Sequence, residues 1–317
     1  MPNIYSNIIN FNSNSTKKII KILSKNGIIG LPTETVYGLA ANAYSETAIK
    51  KVYSAKKRIK RNPLIIHYYD LNRAKKDVIL DNKFYKLYKK FSPGPITYIV
   101  KKKKNSKIKS IASANLKTVG IRFPKNKIIR KILKKIRFPL AMPSANKSSS
   151  ISPVSAEDVS DEFKNRIKVV DGGYSKIGIE STVLNLVGST CILRPGKITT
   201  DDVESVLGQK IKISYNKKII KSPGMLKKHY SPGIPVKLNC KNASNKDAFI
   251  VFGKKYKKGK NIFNLSHKGD LKQAAKNLYK TMRKIKKLNF KKIRVVKIPN
   301  QNIGIAINDR LTKASNK

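Results

Sequence analysis

The stretch GIIGLPTETVYGLAANA, residues 27–43, decides how the first part of this chain folds. Its first segment, GIIGLP, is a short apolar run that predicts a buried strand. The loop that follows leads to Ser45, which can cap the N-terminus of a helix over residues 46–58. The stretch contains no basic residue and a single carboxylate, Glu34, in a chain with 70 Lys and Arg residues. It therefore predicts a strand, a loop without positive charge and a helix.

Length and composition indicate a globular protein. The chain has 317 residues, which is enough for two domains or one large domain with a proper core. Its hydrophobic content of 40% argues against disorder, and no apolar run approaches the ~20 residues that span a bilayer. Cys191 and Cys240 are far apart and not in a metal-ligand spacing. We therefore expect a cytoplasmic protein without disulfides and without a membrane partner.

The net charge of +53 has two explanations. A strongly basic surface can bind nucleic acid. However, 59 of the 70 basic residues are Lys and 11 are Arg, and the chain is also rich in Ile and Asn. All three abundant residues have A/T-rich codons, so a biased genome would produce the same composition. Both explanations stay open, and the positions of the few arginines and carboxylates are more informative than the total.

Alternating strand-like and helix-like segments predict an α/β protein. They indicate a first domain over residues 1–210, a linker over 211–235 that contains two Pro-Gly pairs, and a small α/β unit over 236–317. The strands are expected within GIIGLP, PLIIHYYD, PITYIVKKK, TVGIRFP, PLAMPSAN, IKVVDGG, ESTVLNLV, CILRPG, AFIVFG and IRVVKIP. The helices are predicted at 16–25, 46–58, 82–91, 155–164, 200–208 and 269–288, with a last helix near the C-terminus.

Two motifs place arginines beside predicted strands. Lys56 and Arg58 stand at i and i+2 near the end of a helix, and Arg122 lies within the strand TVGIRFP. The planar guanidinium binds phosphate or carboxylate through two hydrogen bonds, which the lysine ammonium does not do. A solvated basic helix end explains the first motif equally well, and a structural ion pair explains the second.

Two further motifs collect hydroxyl and amide groups at strand ends. They are PSANKSSSISP, with Ser144, Asn146 and Ser152, and GIESTVLNL with LRPG. Hydroxyls and backbone N–H groups of this kind can hold phosphate oxygens, although plain loops and turns have the same composition. No catalytic triad, paired-carboxylate site or zinc site is visible in the sequence. The residue types favour positioning and electrostatic stabilisation over covalent catalysis.

Taken in this order, the segments resemble the threonylcarbamoyl-AMP synthase family, of the YrdC-like fold, in its longer type. The resemblance implies a YrdC-like twisted mixed sheet with flanking helices, a linker that closes over the active site and a small Rossmann-like C-terminal domain. That last domain, about 82 residues from 236 to 317, is shorter than expected for the longer type. The matching segments are GLPTETVYGLAANA, AKKRIKRNPLIIH, SPGPITYIV, TVGIRFP, PSANKS, GIESTV, LRPG, SPGMLKKHYSP and IGIAINDRLTKAS.

The family's reaction implies the substrates and partners. Family members combine L-threonine, bicarbonate and ATP, which arrives with Mg²⁺, and release pyrophosphate and threonylcarbamoyl-AMP. A separate tRNA threonylcarbamoyltransferase complex then transfers the threonylcarbamoyl group to the adenosine beside the anticodon. The resemblance therefore implies a nucleotidyltransferase that acts in tRNA modification, with weak tRNA binding and no metal ligands of its own.

The resemblance also implies which residues form the site. The catalytic residues are Lys56 and Arg58, whose charges neutralise the anionic reactants. Threonine is surrounded by Thr35, His67, Arg122, the backbone near Met142, and Ser181. ATP is surrounded by Arg58, Asn62, Thr118, Ser144, Asn146, Ser152, Arg194 and Tyr230 of the linker.

The stretch at 27–43 then becomes a wall of the amino-acid pocket. Its strand would bring Thr33 and Thr35 to the substrate, and Tyr37 would provide one side. A lysine there would repel the substrate's ammonium group, whereas Glu34 would attract that group or brace the loop. The alternative is a buried turn that Pro32 and the threonine hydroxyls stiffen.

Two other functions remain as alternatives. One is an RNA-binding module of the same fold that carries out no chemistry, which the net charge favours. The other is a carbamoyl transferase of the hydrogenase-maturation branch, which would require Cys-x-x-Cys zinc modules and an acylphosphatase-like domain. Neither of these two features is found in the sequence.

Overall fold

The computed structural model describes residues 5–214 and 229–316, and most of the predicted linker, residues 215–228, lies outside them. The described residues form a large mixed sheet and a small parallel sheet, with helices against both, which confirms the predicted α/β class. The strands of the large sheet are β1 (Ile8–Ile9), β2 (Ile29–Leu31), β3 (Gly38–Asn42), β4 (Ile65–His67), β5 (Val78–Ile79), β6 (Ile96–Lys102), β7 (Thr118–Arg122), β8 (Leu140–Ala141), β9 (Val169–Val170), β10 (Thr182–Asn185), β11 (Cys191–Arg194) and β12 (Lys212–Ile213). Its helices are α1 (Ser13–Ser24), α2 (Glu46–Lys56), α3 (Leu71–Ala74), α4 (Asn82–Phe91), α5 (Lys127–Lys135), α6 (Ala156–Phe163) and α7 (Thr200–Leu207).

The order of the large sheet brings distant segments together. The strands run β1-β9-β2-β3-β8-β4-β7-β6-β10-β11-β12, and β5 pairs with β6 beside this row. In the centre, β8 is antiparallel to both β3 and β4, whereas β4 and β7 are parallel. The register of that parallel pair sets His67 opposite Arg122. Two residues that are 55 positions apart in sequence therefore lie side by side at the ends of their strands.

Alternation along the central strands divides their residues between two faces. Leu39, Ile66 and Ile121 belong to the main hydrophobic core, together with residues of α2 and α4. Their neighbours in sequence point to the opposite face, which carries His67 and Arg122. The apolar face holds the helices to the sheet and leaves the polar face for a site.

Capping residues set the ends of several helices. Ser45 and Ser155 cap α2 and α6 as predicted, each by accepting a hydrogen bond from the backbone N–H three residues on. The helix predicted at 82–91 is confirmed as α4. Helix α1 begins three residues before the predicted start because Asn12 and Ser15 form a capping box. Helix α2 ends at Lys56, two residues early, because Lys57 takes a left-handed φ of 49°.

Helix α5 was not predicted, although its signals are present in the sequence. Asn126 accepts hydrogen bonds from the backbone N–H groups of Ile128 and Ile129, so it caps the helix. Ile129, Ile132 and Leu133 then fall on one buried face. This apolar pattern is hard to recognise in the sequence, because lysines separate its residues and lysine is abundant throughout the chain.

The C-terminal unit, residues 236–316, contains the small sheet, with strands β13 (Val236–Lys237), β14 (Ala248–Val251), β15 (Ile262–Asn264) and β16 (Ile293–Val295). These strands are all parallel and run in the order β13-β16-β14-β15. Two helices, α8 (Leu271–Lys287) and α9 (Ile303–Ser315), pack against it. The predicted strand, long helix, strand and final helix are confirmed as β14, α8, β16 and α9, whereas β13 and β15 were not predicted. Among the helices of the described ranges, none is long and apolar enough to cross a membrane.

The backbone of α8 lies very close to Gly178, in a loop of the first part of the chain. A Cβ atom placed on Gly178 would stand 2.6 Å from both the Cα and the carbonyl oxygen of Lys276. Gly178 also has a left-handed φ of 82°, which residues with a Cβ rarely adopt. Glycine is therefore required here on two independent grounds, and one of them is the docking of α8.

Replacing Gly178 by Ala is expected to destabilise the fold more than replacing Gly188 by Ala. Gly188 has a similar φ of 74°, but nothing lies within 4 Å of the point that a Cβ atom would occupy there, so it serves as the matched control. The left-handed backbone costs each variant about 1–2 kcal/mol, and the contact with α8 adds about 1–3 kcal/mol at Gly178 alone. Urea denaturation followed by circular dichroism measures both. Equal losses in the two variants would contradict the close docking of α8.

Candidate active site

A cavity of about 500 Å³, including the space at its mouth, lies against the polar face of the large sheet. It is formed at the ends of β4, β7 and β11, where the last residue of each strand is His67, Arg122 and Arg194 respectively. Arg58 reaches it from the end of α2, and the loop after β8 completes the wall. Of the residues predicted from the sequence, the cavity is lined by Thr33, Tyr37, Arg58, His67, Arg122, Met142, Ser144, Arg194 and Tyr230.

Glu34 holds Arg122 in place at the cavity wall. Its Oε1 lies 2.6 Å from Nη2 of Arg122, and its Oε2 accepts hydrogen bonds from the backbone N–H groups of Lys125 and Asn126 at 3.0 and 3.2 Å. Burial raises the pKa of Glu34, but Arg122 and these hydrogen bonds outweigh burial and lower it. Both oxygens of Glu34 are therefore engaged within the protein. Of the two roles considered for this carboxylate, the structure supports bracing the loop.

Three polar atoms of the cavity-lining residues are buried without a hydrogen-bond partner among the described residues. They are Nε of Arg122, Nδ1 of His229 and the hydroxyl oxygen of Tyr230. A buried polar group left without a partner costs about 1–3 kcal/mol, so native proteins avoid such groups outside functional sites. Three of them at one cavity indicate a site built to bind a polar ligand.

The two histidines of the cavity are neutral at neutral pH. Burial lowers the pKa of His67 to about 3, and the neighbouring Arg122 contributes to this decrease. Burial likewise lowers the pKa of His229 to about 3. The imidazoles therefore provide hydrogen-bonding groups, and the positive charge at the cavity comes from arginine.

The guanidinium groups of Arg58 and Arg194 are held by backbone carbonyls. Arg58 donates from Nε to the carbonyl of Asn62 and from Nη2 to the carbonyl of Pro63, both at 3.0 Å. Burial lowers the pKa of Arg58 to about 10, so the side chain keeps its charge at neutral pH. Arg194 donates from Nε to the carbonyl of Ser181 and from Nη2 to its hydroxyl, both at 3.1 Å. Rigid arginines at a concave surface create a strong attraction for anions.

Lys56 lies beneath one loop of the cavity wall, which we call the serine loop and define as residues 143–154. The Lys56 ammonium donates hydrogen bonds to the carbonyls of Ser144 and Asn146. Burial lowers the pKa of Lys56 well below its ordinary value. Within the loop, Ser144 donates to Oδ1 of Asn146, whose amide donates to the carbonyl of Ser150. Lys56 and Asn146 therefore shape the serine loop from behind the wall.

The remaining predicted residues also lie outside the set that lines the cavity. Thr35 is buried, with its hydroxyl 2.8 Å from that of the cavity-lining Thr33. The Ser181 hydroxyl is 2.8 Å from that of Thr97, and Ser152 donates to Glu180. The backbone of Asn62 supports Arg58, as described above. Thr118 begins β7, which puts it about 13 Å along the strand from Arg122.

Glu180 and His229 line the cavity without having been assigned a role from the sequence. Glu180 accepts hydrogen bonds from Nε of Arg310 at 2.8 Å and from the hydroxyl of Tyr279 at 3.0 Å. These partners are 130 and 99 residues away, so no local pattern could reveal them. His229 precedes Tyr230, and the two rings lie 4.0 Å apart between centroids. The adjacency of His229 to a predicted residue was its one signal.

Two family models match the chain. The model for the Sua5, YciO and YrdC proteins, described as "Telomere recombination", matches residues 21–196. The model described as "Threonylcarbamoyl-AMP synthase, C-terminal domain" matches residues 198–316.

Curated relatives and a solved structure cover nearly the full chain. The threonylcarbamoyl-AMP synthase of Pyrococcus abyssi is 33% identical over 314 residues, which is 91% of this chain and 90% of the relative. That of Bacillus subtilis is 33% identical over 320 residues, or 93% and 91%. The crystal structure of P. abyssi Sua5 complexed with L-threonine is similar with a TM-score of 0.89 and 30% identity over 97% of each chain. The C-terminal unit is therefore not shortened relative to that protein, contrary to the expectation from the sequence.

Replacing Glu180 by Gln is expected to reduce the acid sensitivity of folding. Burial raises the pKa of Glu180, but Arg310 and Arg194 outweigh burial and lower it from 4.5 to about 2. The ionised carboxylate therefore stabilises the fold above pH 4.5, and this stabilisation, about 3 kcal/mol, is lost as the pH falls toward 2.

Urea denaturation of both proteins from about pH 6 to about pH 3 measures this effect. The difference in unfolding free energy between the native protein and Glu180→Gln should shrink as the pH falls. Glu46→Gln removes an exposed carboxylate and is the control that should show little change. A constant difference for Glu180→Gln would mean that this carboxyl has an ordinary pKa.

Proposed function

The chain belongs to the threonylcarbamoyl-AMP synthase family, and we infer that it makes threonylcarbamoyl-AMP from L-threonine, bicarbonate and ATP with release of pyrophosphate. The observation that carries this function is the buried cavity itself, where three arginines meet polar atoms that have no partner among the described residues. The YrdC-like fold with a small Rossmann-like C-terminal unit agrees with the resemblance seen in the sequence. The product is the first intermediate of threonylcarbamoyladenosine formation in tRNA.

Threonine is proposed to bind where β4 and β7 end. The related P. abyssi protein binds L-threonine. In this chain Arg122 has Nη2 occupied by Glu34 but Nε without a described partner, so Nε is suited to the substrate's carboxylate. The neutral imidazole of His67 and the hydroxyl of Thr33 lie on the same wall and add no charge that would repel the amine. Thr35, Ser181 and the backbone at Met142 support this end of the site.

ATP is proposed to bind between Arg58, Arg194 and the serine loop. The guanidinium groups face the triphosphate, and Ser144 of the loop contributes its hydroxyl. Tyr230 lies at the same end with a buried hydroxyl that has no described partner. Asn62, Asn146, Ser152 and Thr118 complete the proposed nucleotide site, with Lys56 behind it.

The chemistry needs positioning and charge stabilisation more than a covalent catalyst. The threonine amine attacks bicarbonate and water leaves, which gives a carbamate. A carbamate oxygen then attacks the α-phosphorus of ATP, and the bond to the β-phosphate oxygen breaks to release pyrophosphate. Both steps bring anions together, so fixed guanidinium groups lower their repulsion and stabilise charge on the leaving pyrophosphate. Lys56 contributes from behind the serine loop through its hydrogen bonds to the carbonyls of Ser144 and Asn146.

We propose that ATP brings Mg²⁺ to the site. Within residues 5–214 and 229–316, no group of three or more His, Cys, Asp or Glu side chains could hold a metal ion. Glu180, a carboxylate of the cavity wall, is already engaged by Arg310 and Tyr279. Phosphate oxygens and water would supply the ligands that Mg²⁺ prefers.

The partners and location follow from the same proposal. Threonylcarbamoyl-AMP is a labile mixed anhydride, so a tRNA threonylcarbamoyltransferase complex must consume it nearby. We therefore propose hand-off to that complex in the cytoplasm, where ATP is available, with weak tRNA binding by the basic surface.

Pyrophosphate release tests the reaction. The protein is incubated with MgATP and L-threonine, with and without bicarbonate, and pyrophosphate is measured. We expect release that requires both threonine and bicarbonate, because the carbamate forms from the two together. Release that is independent of either substrate would refute the proposed function.

Replacing Arg58 by Lys tests its contact with ATP. Lysine keeps the charge but loses the planar fork, so we expect KM for ATP to rise at least tenfold, on the order of 1.4 kcal/mol, with KM for threonine little changed. Arg61→Lys is the matched control, since Arg61 belongs to the same segment but is exposed. Unchanged ATP kinetics in Arg58→Lys would remove this residue from the nucleotide site.

A further inference from the structure

The serine loop is held from both sides, and one side belongs to the C-terminal unit. On the inner side Lys56 binds its carbonyls, as described above. On the outer side α8 and α9 approach the loop through two sets of charged contacts. The first set is centred on Arg283 and the second on Glu180.

Arg283 of α8 lies between two carboxylates of α6 that hold the middle and the C-terminal end of the loop. Glu162 accepts a hydrogen bond from the backbone N–H of Lys147 at 2.9 Å, and Asp158 accepts one from that of Val154 at 2.9 Å. The Arg283 guanidinium lies 3.4 Å from Glu162 and 3.7 Å from Asp158. It also donates to the carbonyl of Ile151 within the loop, at 2.5 Å. One arginine therefore fixes both carboxylates and the loop backbone between them.

The second set of contacts reaches the loop through Glu180. Ser152 donates its hydroxyl to Oε1 of Glu180. The same carboxylate accepts hydrogen bonds from Tyr279 of α8 and Arg310 of α9. Arg310 also stands over the Tyr230 ring, 5.2 Å from its centroid. A chain of contacts thus runs from the C-terminal unit to a residue of the proposed nucleotide site.

Apolar packing supports the same arrangement. Ile151 and Val154 are buried in the hydrophobic cluster that contains Leu278 and Met282 of α8, and not in the core beneath the large sheet. The side chains of the serine loop therefore complete the core of the C-terminal unit. Any displacement of α8 would expose them to water.

Helix α6 concentrates acidic residues in a chain that contains few of them. Four of the eight residues of α6 are acidic, in a chain that has 17 acidic residues in total. Asp161 and Glu162 lie at the C-terminal end of the helix, where the helix dipole disfavours negative charge. Their partners there are Lys287, 2.7 Å from Asp161, and Arg283. These carboxylates therefore serve the docking of α8.

We propose that Arg283 and Tyr279 of the C-terminal unit are positioning residues that hold the serine loop in the shape that binds ATP. This inference rests on the proposed function for the identity of the ligand. The C-terminal unit is then part of the scaffold of the active site, because it fixes three residues of the loop that carries Ser144. It reaches Ile151 directly, Lys147 through Glu162 and Ser152 through Glu180. Lys56 holds the loop from the other side.

Arg283→Gln tests the first contact, and Arg294→Gln is its matched control. Arg294 is an arginine of the same unit that pairs with Asp247 at 2.6 Å within the small sheet and does not reach the loop. Amide hydrogen exchange is measured on the free proteins. We expect the amides of Lys147 and Val154 to exchange at least tenfold faster in Arg283→Gln than in the native protein, and at native rates in Arg294→Gln.

Tyr279→Phe tests the second contact with a smaller change, since it deletes one hydroxyl and keeps the packing. For this variant and for Arg283→Gln we expect KM for ATP to rise about fivefold to tenfold, on the order of 1 kcal/mol. KM for threonine should change less than twofold, because Arg122 and His67 are held by other contacts. If Arg283 and Tyr279 had a purely structural role, the variants would be less stable, but KM for ATP and KM for threonine would change to the same extent.

Different results would refute the positioning role of Arg283 and Tyr279 and the proposed function. Exchange is measured without substrates, so native exchange rates at Lys147 and Val154 in Arg283→Gln, with KM for ATP unchanged in both variants, would overturn the positioning role alone. Absence of threonine- and bicarbonate-dependent pyrophosphate release by the native protein would overturn the proposed function. Faster loop exchange in Arg283→Gln but not in Arg294→Gln would still support the positioning of the loop in that case.

Discussion

Three arginine guanidinium groups converge on one largely buried cavity, and the rest of the structure depends on keeping them there. Arg58, Arg122 and Arg194 would repel one another and lose hydration without compensation. The fold compensates the charges of these arginines to different degrees. Arg122 has a carboxylate of its own in Glu34, whereas Arg58 is held by backbone carbonyls and keeps its charge exposed to the cavity. An anion that enters the cavity gains from this imbalance.

The absence of lysine from residues 27–43 has a second physical reason, which the sequence alone did not reveal. The sequence suggested that a cation there would repel the substrate's ammonium group. In the structure Glu34 is buried and both of its oxygens are engaged, one by Arg122 and the other by two backbone N–H groups. A lysine beside this pair would compete with Arg122 for the carboxylate and release the arginine that the site needs. A loop that is uncharged apart from Glu34 is therefore suited to support Arg122.

Local features could be predicted from the sequence, and contacts between distant segments could not. Ser45 and Ser155 marked helix starts because capping depends on residues within one turn. The placement of His67 beside Arg122 depends on the register of two strands, which no local pattern contains. The family resemblance named both residues without showing that they lie side by side. Glu180 was visible as a motif, but its meaning lies in Tyr279 and Arg310, far along the chain.

The same distinction bears on the net charge. Among the described residues, Lys56 is the one lysine in the buried set, so the excess lysine lies on exposed or partly exposed positions. Substitutions at exposed positions usually change stability by no more than about 0.5 kcal/mol, so a drift in composition accumulates there first. Four of the 17 acidic residues, Glu34, Glu180, Asp158 and Glu162, instead pair with arginines at the cavity wall or beside the serine loop. A charge of +53 therefore does not by itself indicate a nucleic-acid partner, whereas these four ion pairs are contacts on which the active site depends.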